Sequence, residues 1–117
     1  MITVTEPRQI PSLLDRVHDW WFDVDRVSLD ESRGAVTLDL ELKKSGLESP
    51  SGMGVTLTIH GARGLSITDS EKVGFYDLNE ISYSNRDKSV RITGGIPILI
   101  EVPVDGLKLV LVPRVVG

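Results

Sequence analysis

Cysteine is absent from this 117-residue chain, and histidine occurs only twice. Without cysteine there can be no disulfide, no thiolate metal site and no cysteine nucleophile. No apolar run approaches the roughly 20 residues that a membrane-spanning helix needs. The start of the chain has neither the basic nor the apolar stretch that a secretory signal carries. We therefore expect a cytoplasmic protein that does not associate with membranes.

Runs of basic residues are also absent. The chain holds 13 Lys and Arg against 17 Asp and Glu, a formal net charge of −4. Residues 1–60 contain 6 basic and 10 acidic side chains, and residues 61–117 contain 7 of each, so the acidic excess lies in the first half. Nucleic acids and anionic membranes are bound mainly by neutralising negative charge, so we expect neither as a partner. A basic protein is the partner that this charge distribution favours.

Apolar and polar side chains alternate strictly in two segments, residues 36–43 and 55–60. Alternation with period two is typical of half-buried strands, and residues 44–54 would form a polar loop between them. Shorter segments of the same kind recur about every ten residues, separated by turn signals. We therefore predict one mainly β domain over residues 1–117, an antiparallel sandwich or barrel of about seven or eight short strands.

One short helix is predicted before the strands. Ser12 and Asp15 have the spacing of a capping box, with aspartate in place of the usual glutamate. Leu13 and Val17 would share one side of a helix of about two turns, which is too short to be stable unless it docks on the sheet. Residues 1–11 contain two prolines and no period, so we predict an irregular lead-in.

The stretch Gly95–Val112 gives the strongest signal of tertiary structure. Asp105-Gly106 between two apolar runs is the preferred sequence of a two-residue type I′ turn. Such a turn predicts an antiparallel hairpin in which Val102 lies opposite Leu109 and the aliphatic side chains share one face.

The prolines of this stretch predict where strand pairing stops. In the predicted register, Pro97 and Pro103 would point away from the partner strand, as in an edge strand protected against further pairing. The ladder should end near Pro113, and the second strand should lie inside the sheet. A single core is predicted to unite Leu38, Leu40, Leu57, Ile59, Ile100, Val102, Leu109 and Leu111.

The segment His18–Asp25 holds both tryptophans and three aspartates. Asp19, Asp23 and Asp25 could offer oxygen ligands to a divalent cation. Val27, however, occupies a position where a calcium loop needs a ligand, so we predict no metal site.

The two tryptophans of this segment, Trp20 and Trp21, are adjacent, and neighbouring residues of an extended chain point to opposite faces. We therefore predict that one is buried as an anchor for the helix and that the other is partly exposed. Tryptophan is enriched at the centres of protein interfaces. The candidate binding residues are Trp20, Trp21, Asp19, Asp23 and Asp25.

His60 is the other candidate for chemistry. If the two alternating segments pair so that Asp39 lies opposite His60, a carboxylate would orient an imidazole as a general base, with Glu41 on the same face. The chain has no G-x-S-x-G or H-E-x-x-H motif and no phosphate-binding loop. A polar pair on a solvated face explains these residues better. We therefore predict no catalytic residue and no cofactor.

The stretch Leu14-Asp-Arg-Val-His-Asp-Trp-Trp-Phe-Asp-Val-Asp25 resembles small uncharacterised bacterial proteins that open with a short helix and an aromatic segment and continue as strands. Some of those proteins look like immunity partners of bacterial toxins. The resemblance covers about a dozen residues, and it implies a protein-binding role without catalysis.

Three functions are compatible with the sequence. We favour a non-enzymatic domain that binds or inhibits another protein, because the first half is acidic and catalytic motifs are lacking. One alternative is a small hydrolase, either metal-dependent or built on His60 and nearby carboxylates. The other is a small-molecule-binding barrel whose cavity the aromatic residues 20–22 would line.

Overall fold

The described part of the chain contains ten short strands and one short α-helix. A computed structural model describes residues 1–42 and 53–115. The helix α1 (Ile10–Val17) follows a 3₁₀ turn at Pro7–Gln9, and a second 3₁₀ turn lies at Val24–Arg26. The strands are β1 (Ile2–Val4), β2 (Trp21–Asp23), β3 (Ser28–Asp30), β4 (Ala35–Glu41), β5 (Met53–His60), β6 (Ser66–Thr68), β7 (Phe75–Ser84), β8 (Ser89–Gly94), β9 (Leu99–Pro103) and β10 (Leu109–Val115).

All strand pairs within the described ranges are antiparallel, and the strands follow one path in the order β1-β10-β5-β4-β2-β7-β8-β9-β6, with β3 added beside β4. The predicted mainly antiparallel β fold with one N-terminal helix is thus confirmed. The two ends of the path, β1 and β6, do not pair with each other in the described part of the chain, so the sheet is not closed into a barrel. Side chains from both halves of the path, such as Leu57 and Val102, belong to one buried cluster, so the two halves share a core as in a sandwich.

The two strands that the alternation predicts are β4 and β5, and they pair with each other with Leu38 opposite Leu57. The predicted loop over residues 44–54 lies outside the described residues, except for Met53 and Gly54 at the start of β5. The predicted core is confirmed, because all eight of its members are at most 4% exposed. These are Leu38, Leu40, Leu57, Ile59, Ile100, Val102, Leu109 and Leu111.

Helix α1 has about the predicted length but begins before the predicted cap. Ser12 and Asp15 lie inside it, so the predicted capping box is wrong. The capping box belongs instead to the preceding 3₁₀ turn, where the Gln9 side-chain oxygen accepts hydrogen bonds from the N–H groups of Thr5 at 2.9 Å and Glu6 at 3.1 Å. Pro11 is tolerated in the first turn because its missing N–H needs no partner there.

The irregular lead-in predicted for residues 1–11 is wrong as well. Strand β1 pairs with β10, with Ile2 opposite Leu111 and Val4 opposite Leu109. This pairing buries Val4, which is 1% exposed, in the common core. Strand β1 has only three residues, one of them polar, so its alternation is too short to be recognised from the sequence. Its partner strand also lies more than a hundred residues away in sequence.

The predicted hairpin between β9 and β10 does not form. Val102 lies opposite Val90 of β8, whereas Leu109 lies opposite Ile59 of β5. A type I′ turn needs positive φ at both central residues, and neither Asp105 nor Gly106 is among the described residues with positive φ. The N–H group of Asp105 donates instead to the carbonyl of residue 61 at 2.9 Å. The chain therefore crosses here from one half of the sheet to the other.

The prolines have different roles from those predicted. Strand β9 has neighbours on both sides, so its predicted edge position is wrong. Strand β10 lies inside the sheet as predicted, but it continues past Pro113. The N–H group of His60 donates to the carbonyl of Lys108, so these two residues form a hydrogen-bonded pair. Hydrogen-bonded and non-hydrogen-bonded pairs alternate along an antiparallel ladder, so the missing N–H of Pro113 would point away from β5. Within the described residues, β1 covers that side of β10 only at residues 109–111, so Pro113 blocks the edge beyond it.

No helix in residues 1–42 or 53–115 combines the length and apolar character that crossing a membrane would require.

Candidate functional site

Strand β2 separates two surfaces of the protein. It lies between β4 and β7, and Phe22 at its centre points into the core, is 2% exposed and stacks on Tyr76 with ring centroids 6.1 Å apart. Because side chains alternate along a strand, Trp21 and Asp23 face outward. Trp20, just before the strand, packs against the core cluster instead.

Both tryptophans are half-buried. The prediction that Trp20 and Trp21 face different sides agrees with this arrangement, whereas the prediction that one of them is buried is wrong, because both are intermediate in exposure. Trp20 reaches only the border of the core because backbone hydrogen bonds hold it beside β7. Its carbonyl accepts from the N–H of Leu78 at 2.7 Å, and its own N–H donates to the carbonyl of Val17 at 3.0 Å.

A shallow concavity, the outer depression, lies on the outward face of the sheet with a volume of about 40 Å³. The strand register explains its shape. Trp21 lies opposite Glu41 of β4, Glu41 opposite Gly54 of β5, and Gly54 opposite Arg114 of β10. Gly54 has no side chain, so the Arg114 side chain can cross β5 and reach β4. The residues lining the outer depression are Trp21, Phe22, Asp23, Arg26, Asp39, Glu41, Phe75 and Arg114.

Asp39 is the centre of a charge network in the outer depression. Its carboxylate accepts hydrogen bonds from the Thr56 hydroxyl at 2.8 Å and from Arg26 Nη2 at 3.2 Å. Arg114 Nε lies 3.5 Å from Asp39 Oδ1, and Arg114 Nη2 lies 3.7 Å from Glu41 Oε1. The Nε atom is buried and has no hydrogen-bond geometry to any described residue, so its interaction with Asp39 is electrostatic. Two arginines and two carboxylates thus offset one another.

The remaining carboxylates of the predicted site are distributed differently. Asp23 Oδ1 accepts a hydrogen bond from the backbone N–H of Asp25 at 2.9 Å, which caps the 3₁₀ turn after β2. Asp23 and Asp25 form no ion pair with any residue that the structure describes. Asp19 lies 3.2 Å from His18 Nδ1 and is 71% exposed. Of the five predicted binding residues, Trp21 and Asp23 line the outer depression, and Trp20, Asp19 and Asp25 do not.

His60 is not part of this cluster. It lies opposite Ala35, and Asp39 lies opposite Thr56, so the predicted Asp39–His60 pairing is wrong. The four-residue offset separates the two positions by roughly 13 Å along the strands. The register could not be read from the alternation alone, because both strands allow several pairings with the same faces. Within residues 1–42 and 53–115, no three His, Asp or Glu side chains come together as metal ligands.

A larger concavity, the inner groove, lies on the opposite side of β2, with a volume of about 310 Å³. Four elements form it: the end of α1, the start of β1, the start of β5 and the end of β10. Of the aromatic residues 20–22, only Trp20 lines it, so the predicted cavity shared by all three is wrong. Sequence reasoning missed this groove because its walls come from four distant segments. The lining residues are Met1, Ile2, Arg16, Val17, Trp20, Gly54, Val55, Leu111, Pro113 and Arg114.

Tyr76 lies beside Phe22 in the core, directly opposite it on the neighbouring strand β7. Its hydroxyl donates to the Asp69 carboxylate and accepts from the N–H of Val73 at 3.3 Å. Burial, followed by the hydrogen bond to Asp69, raises the pKa of Tyr76 above its ordinary value of 10.0. The hydroxyl therefore stays protonated and ties residues 69–73 to the core.

No protein-family model matches the chain, and neither a curated protein nor a solved structure matches it.

Proposed function

We propose that this protein is a non-enzymatic domain that binds another protein through the outward face of its sheet around Trp21. The observation that carries the proposal is a half-buried tryptophan flanked by two arginines in a depression of only about 40 Å³. Such a volume holds a few water molecules and is far below the roughly 300–1,000 Å³ of small-molecule sites. Tryptophan and arginine are the residue types most enriched at the energetic centres of protein interfaces.

The charge network supports this proposal because it orders the surface before binding. Arg26 and Arg114 are already held by Asp39 and Glu41, so a partner would not have to immobilise these long side chains. Binding then loses less conformational entropy than it would on a surface of unrestrained arginines.

Charge favours a basic partner. The charges of the two arginines are offset by Asp39 and Glu41, whereas Asp23 and Asp25 make no ion pair in the described ranges. The negative charge left at this edge would steer a positively charged surface toward Trp21, mainly by raising the association rate. The resemblance of residues 14–25 to immunity-type proteins adds a narrower proposal, in which the domain inhibits the protein that it binds.

The alternative of a hydrolase built on His60 has less support. Its imidazole lies opposite Ala35 and away from Asp39 and Glu41, and both of these carboxylates are paired with Arg114.

The experiment compares the tagged wild-type protein with Trp21→Ala and Thr58→Ala as baits in extracts of the source cell. Thr58 lies on the same face of the sheet, opposite Val110, and does not line the outer depression. We expect one protein to be retained by the wild type and Thr58→Ala and lost with Trp21→Ala. With the purified partner, calorimetry should show an affinity loss of about 30-fold for Trp21→Ala, the loss for a hot spot of about 2 kcal/mol.

Circular dichroism of each variant separates loss of binding from loss of folding. A folded Trp21→Ala variant that binds the same partner as tightly as the wild type would refute the proposed contact surface. Replacing Asp23 and Asp25 by Asn should lower the association rate at low salt and have less effect at high salt.

A further inference from the structure

The inner groove has apolar walls on both sides. On the sheet side, Leu111 is 4% exposed, and Ile2 and Val55 pack against the same core cluster. On the helix side, the walls are Val17 and the half-buried indole of Trp20. The volume of about 310 Å³ lies at the lower end of the roughly 300–1,000 Å³ range of small-molecule sites. A compact apolar body therefore fits between the helix and the sheet.

Backbone geometry fixes the position of the Trp20 wall. The chain leaves α1 through His18 and Asp19, and Asp19 adopts a positive φ of 70°. The N–H group of Asp19 donates to the carbonyl of Leu78 at 2.8 Å. Together with the bonds at Trp20, this contact anchors the turn to β7, so the indole side of the groove is formed before any ligand enters.

The charge of the inner groove differs in sign from that of the whole protein. Among the described residues, its only charged lining side chains are Arg16 and Arg114 and no carboxylate lines it, although the chain carries a net charge of −4. Arg114 is already paired with Asp39 and Glu41. Arg16 is exposed and forms no ion pair or side-chain hydrogen bond with any residue that the structure describes. Its guanidinium is thus available at the rim of an apolar groove.

We propose that the inner groove binds a small amphipathic carboxylate, with the apolar body between Trp20 and Leu111 and the carboxylate on Arg16. A guanidinium can hold a carboxylate by two parallel hydrogen bonds, which fixes the orientation of the ligand as well as its charge. The binding is reversible and involves no covalent step. This site does not rest on the proposed protein-contact surface, because Trp20, Leu111 and Arg16 line the inner groove and do not line the outer depression.

The test uses Trp21→Phe as the background, so that Trp20 is the only indole and reports on the groove. The emission of Trp20 is followed during titration with octanoate, with octan-1-ol of the same chain length, and with octylammonium. We expect a saturable change with octanoate, a weaker response with octan-1-ol and the weakest with octylammonium. Adding Arg16→Gln should weaken octanoate binding by roughly tenfold or more, the effect of losing a charge-assisted hydrogen bond.

Arg86→Gln is the matched control. Arg86 is exposed in the turn between β7 and β8 and, like Arg16, has no ion pair within the described residues. The Arg86→Gln variant should bind octanoate as tightly as the background protein does. In a second variant, Val55→Phe fills the groove without altering Arg16 and should abolish the saturable response. Thermal denaturation checks that each variant is folded.

Three results would overturn the site. The first is a folded background protein that gives no saturable response to millimolar octanoate. The second is octanoate binding that is equally strong in Arg16→Gln and Arg86→Gln, or equal for octanoate and octan-1-ol. The third is cosedimentation with phosphatidylserine vesicles without any binding of free octanoate, which would assign the groove to a membrane lipid.

Discussion

The outer depression and the inner groove are built by two adjacent tryptophans, and yet they differ in almost every physical property. Around Trp21 the surface is shallow and combines aromatic with charged side chains, and its arginines are paired with carboxylates. Around Trp20 the surface is apolar and several times larger in volume, and Arg16 has no partner among the described residues. The residue type therefore does not set the role of either indole. The role of each indole follows from the face of the sheet to which it points and from the segments that line the concavity around it.

Arg114 shows how closely the two surfaces are connected. Its side chain lines both of them, and its guanidinium interacts with Asp39 and Glu41 on the outer side. The glycine at position 54 makes this crossing possible, because any larger side chain there would lie between β10 and β4.

Phe22→Ala should have the largest effect, because it removes the layer that separates the two surfaces. Phe22 is fully packed against Tyr76, and truncating a buried phenylalanine costs about 3–5 kcal/mol of folding free energy. Urea denaturation followed by circular dichroism measures the loss. Phe75→Ala is the control, since the half-buried Phe75 lines the outer depression and its truncation should cost at most about 1 kcal/mol. Equal losses for the two variants would show that Phe22 does not form the dividing layer.

Asp39→Asn should have an intermediate effect, because it tests whether the outer depression is held together by charge. Arg26 would lose its ionic partner, and Arg114 would retain Glu41 and the backbone carbonyl of Leu40. Asp39 and Arg114 are largely shielded from solvent, whereas Arg26 is exposed. We therefore expect the free energy of unfolding, measured by urea denaturation at low salt, to fall by about 1–2 kcal/mol. The control is Asp25→Asn, because Asp25 is exposed and has no ion pair within the described residues. This variant should change the free energy of unfolding by no more than about 0.5 kcal/mol. If both variants behave like the wild type, the network does not order the surface.

Tyr76→Phe should have the smallest effect at neutral pH and a visible one in alkali. The pKa of Tyr76 is raised in the folded protein, first by burial and then by Asp69. The unfolded chain therefore ionises first as the pH rises, and stability is lost above the ordinary pKa of 10.0. Denaturation midpoints measured from pH 8 to 11 should fall with pH in the wild type and in the control Tyr83→Phe, and less steeply in Tyr76→Phe. Identical slopes in all three proteins would mean that ionisation of Tyr76 does not contribute to the loss of stability in alkali.

Local alternation predicted the parts of the fold in which a strand and its partner are close in sequence. Leu38 and Leu57 both lie in the core as predicted, although the register that sets them opposite each other was not predicted. Asp105-Gly106 misled because its two flanking runs are aliphatic and would suit several partners. The long-range pairing of β10 with β1 and β5 prevailed, and no local pattern encodes such pairings.

The candidate site was predictable to the same limited extent. The pleat alone indicates that Trp20 and Trp21 serve different faces. The contribution of Arg114 was not predictable, since it depends on the register that sets Gly54 between Arg114 and Glu41. The inner groove was missed for the same reason, because only the folded chain brings Arg16 beside β10.

The electrostatic contrast between the two indoles is tested most directly by quenching the fluorescence of two single-tryptophan proteins. Trp21→Phe leaves Trp20 and Trp20→Phe leaves Trp21, and each is titrated with iodide and with neutral acrylamide. Trp20 shares its groove with Arg16 and Arg114 and with no described carboxylate, whereas the depression of Trp21 holds three carboxylates, Asp23, Asp39 and Glu41, against the two arginines Arg26 and Arg114. We predict a higher ratio of iodide to acrylamide quenching for Trp20 than for Trp21 at low salt. An equal ratio, or a higher one for Trp21, would contradict the division of this protein into two oppositely charged surfaces.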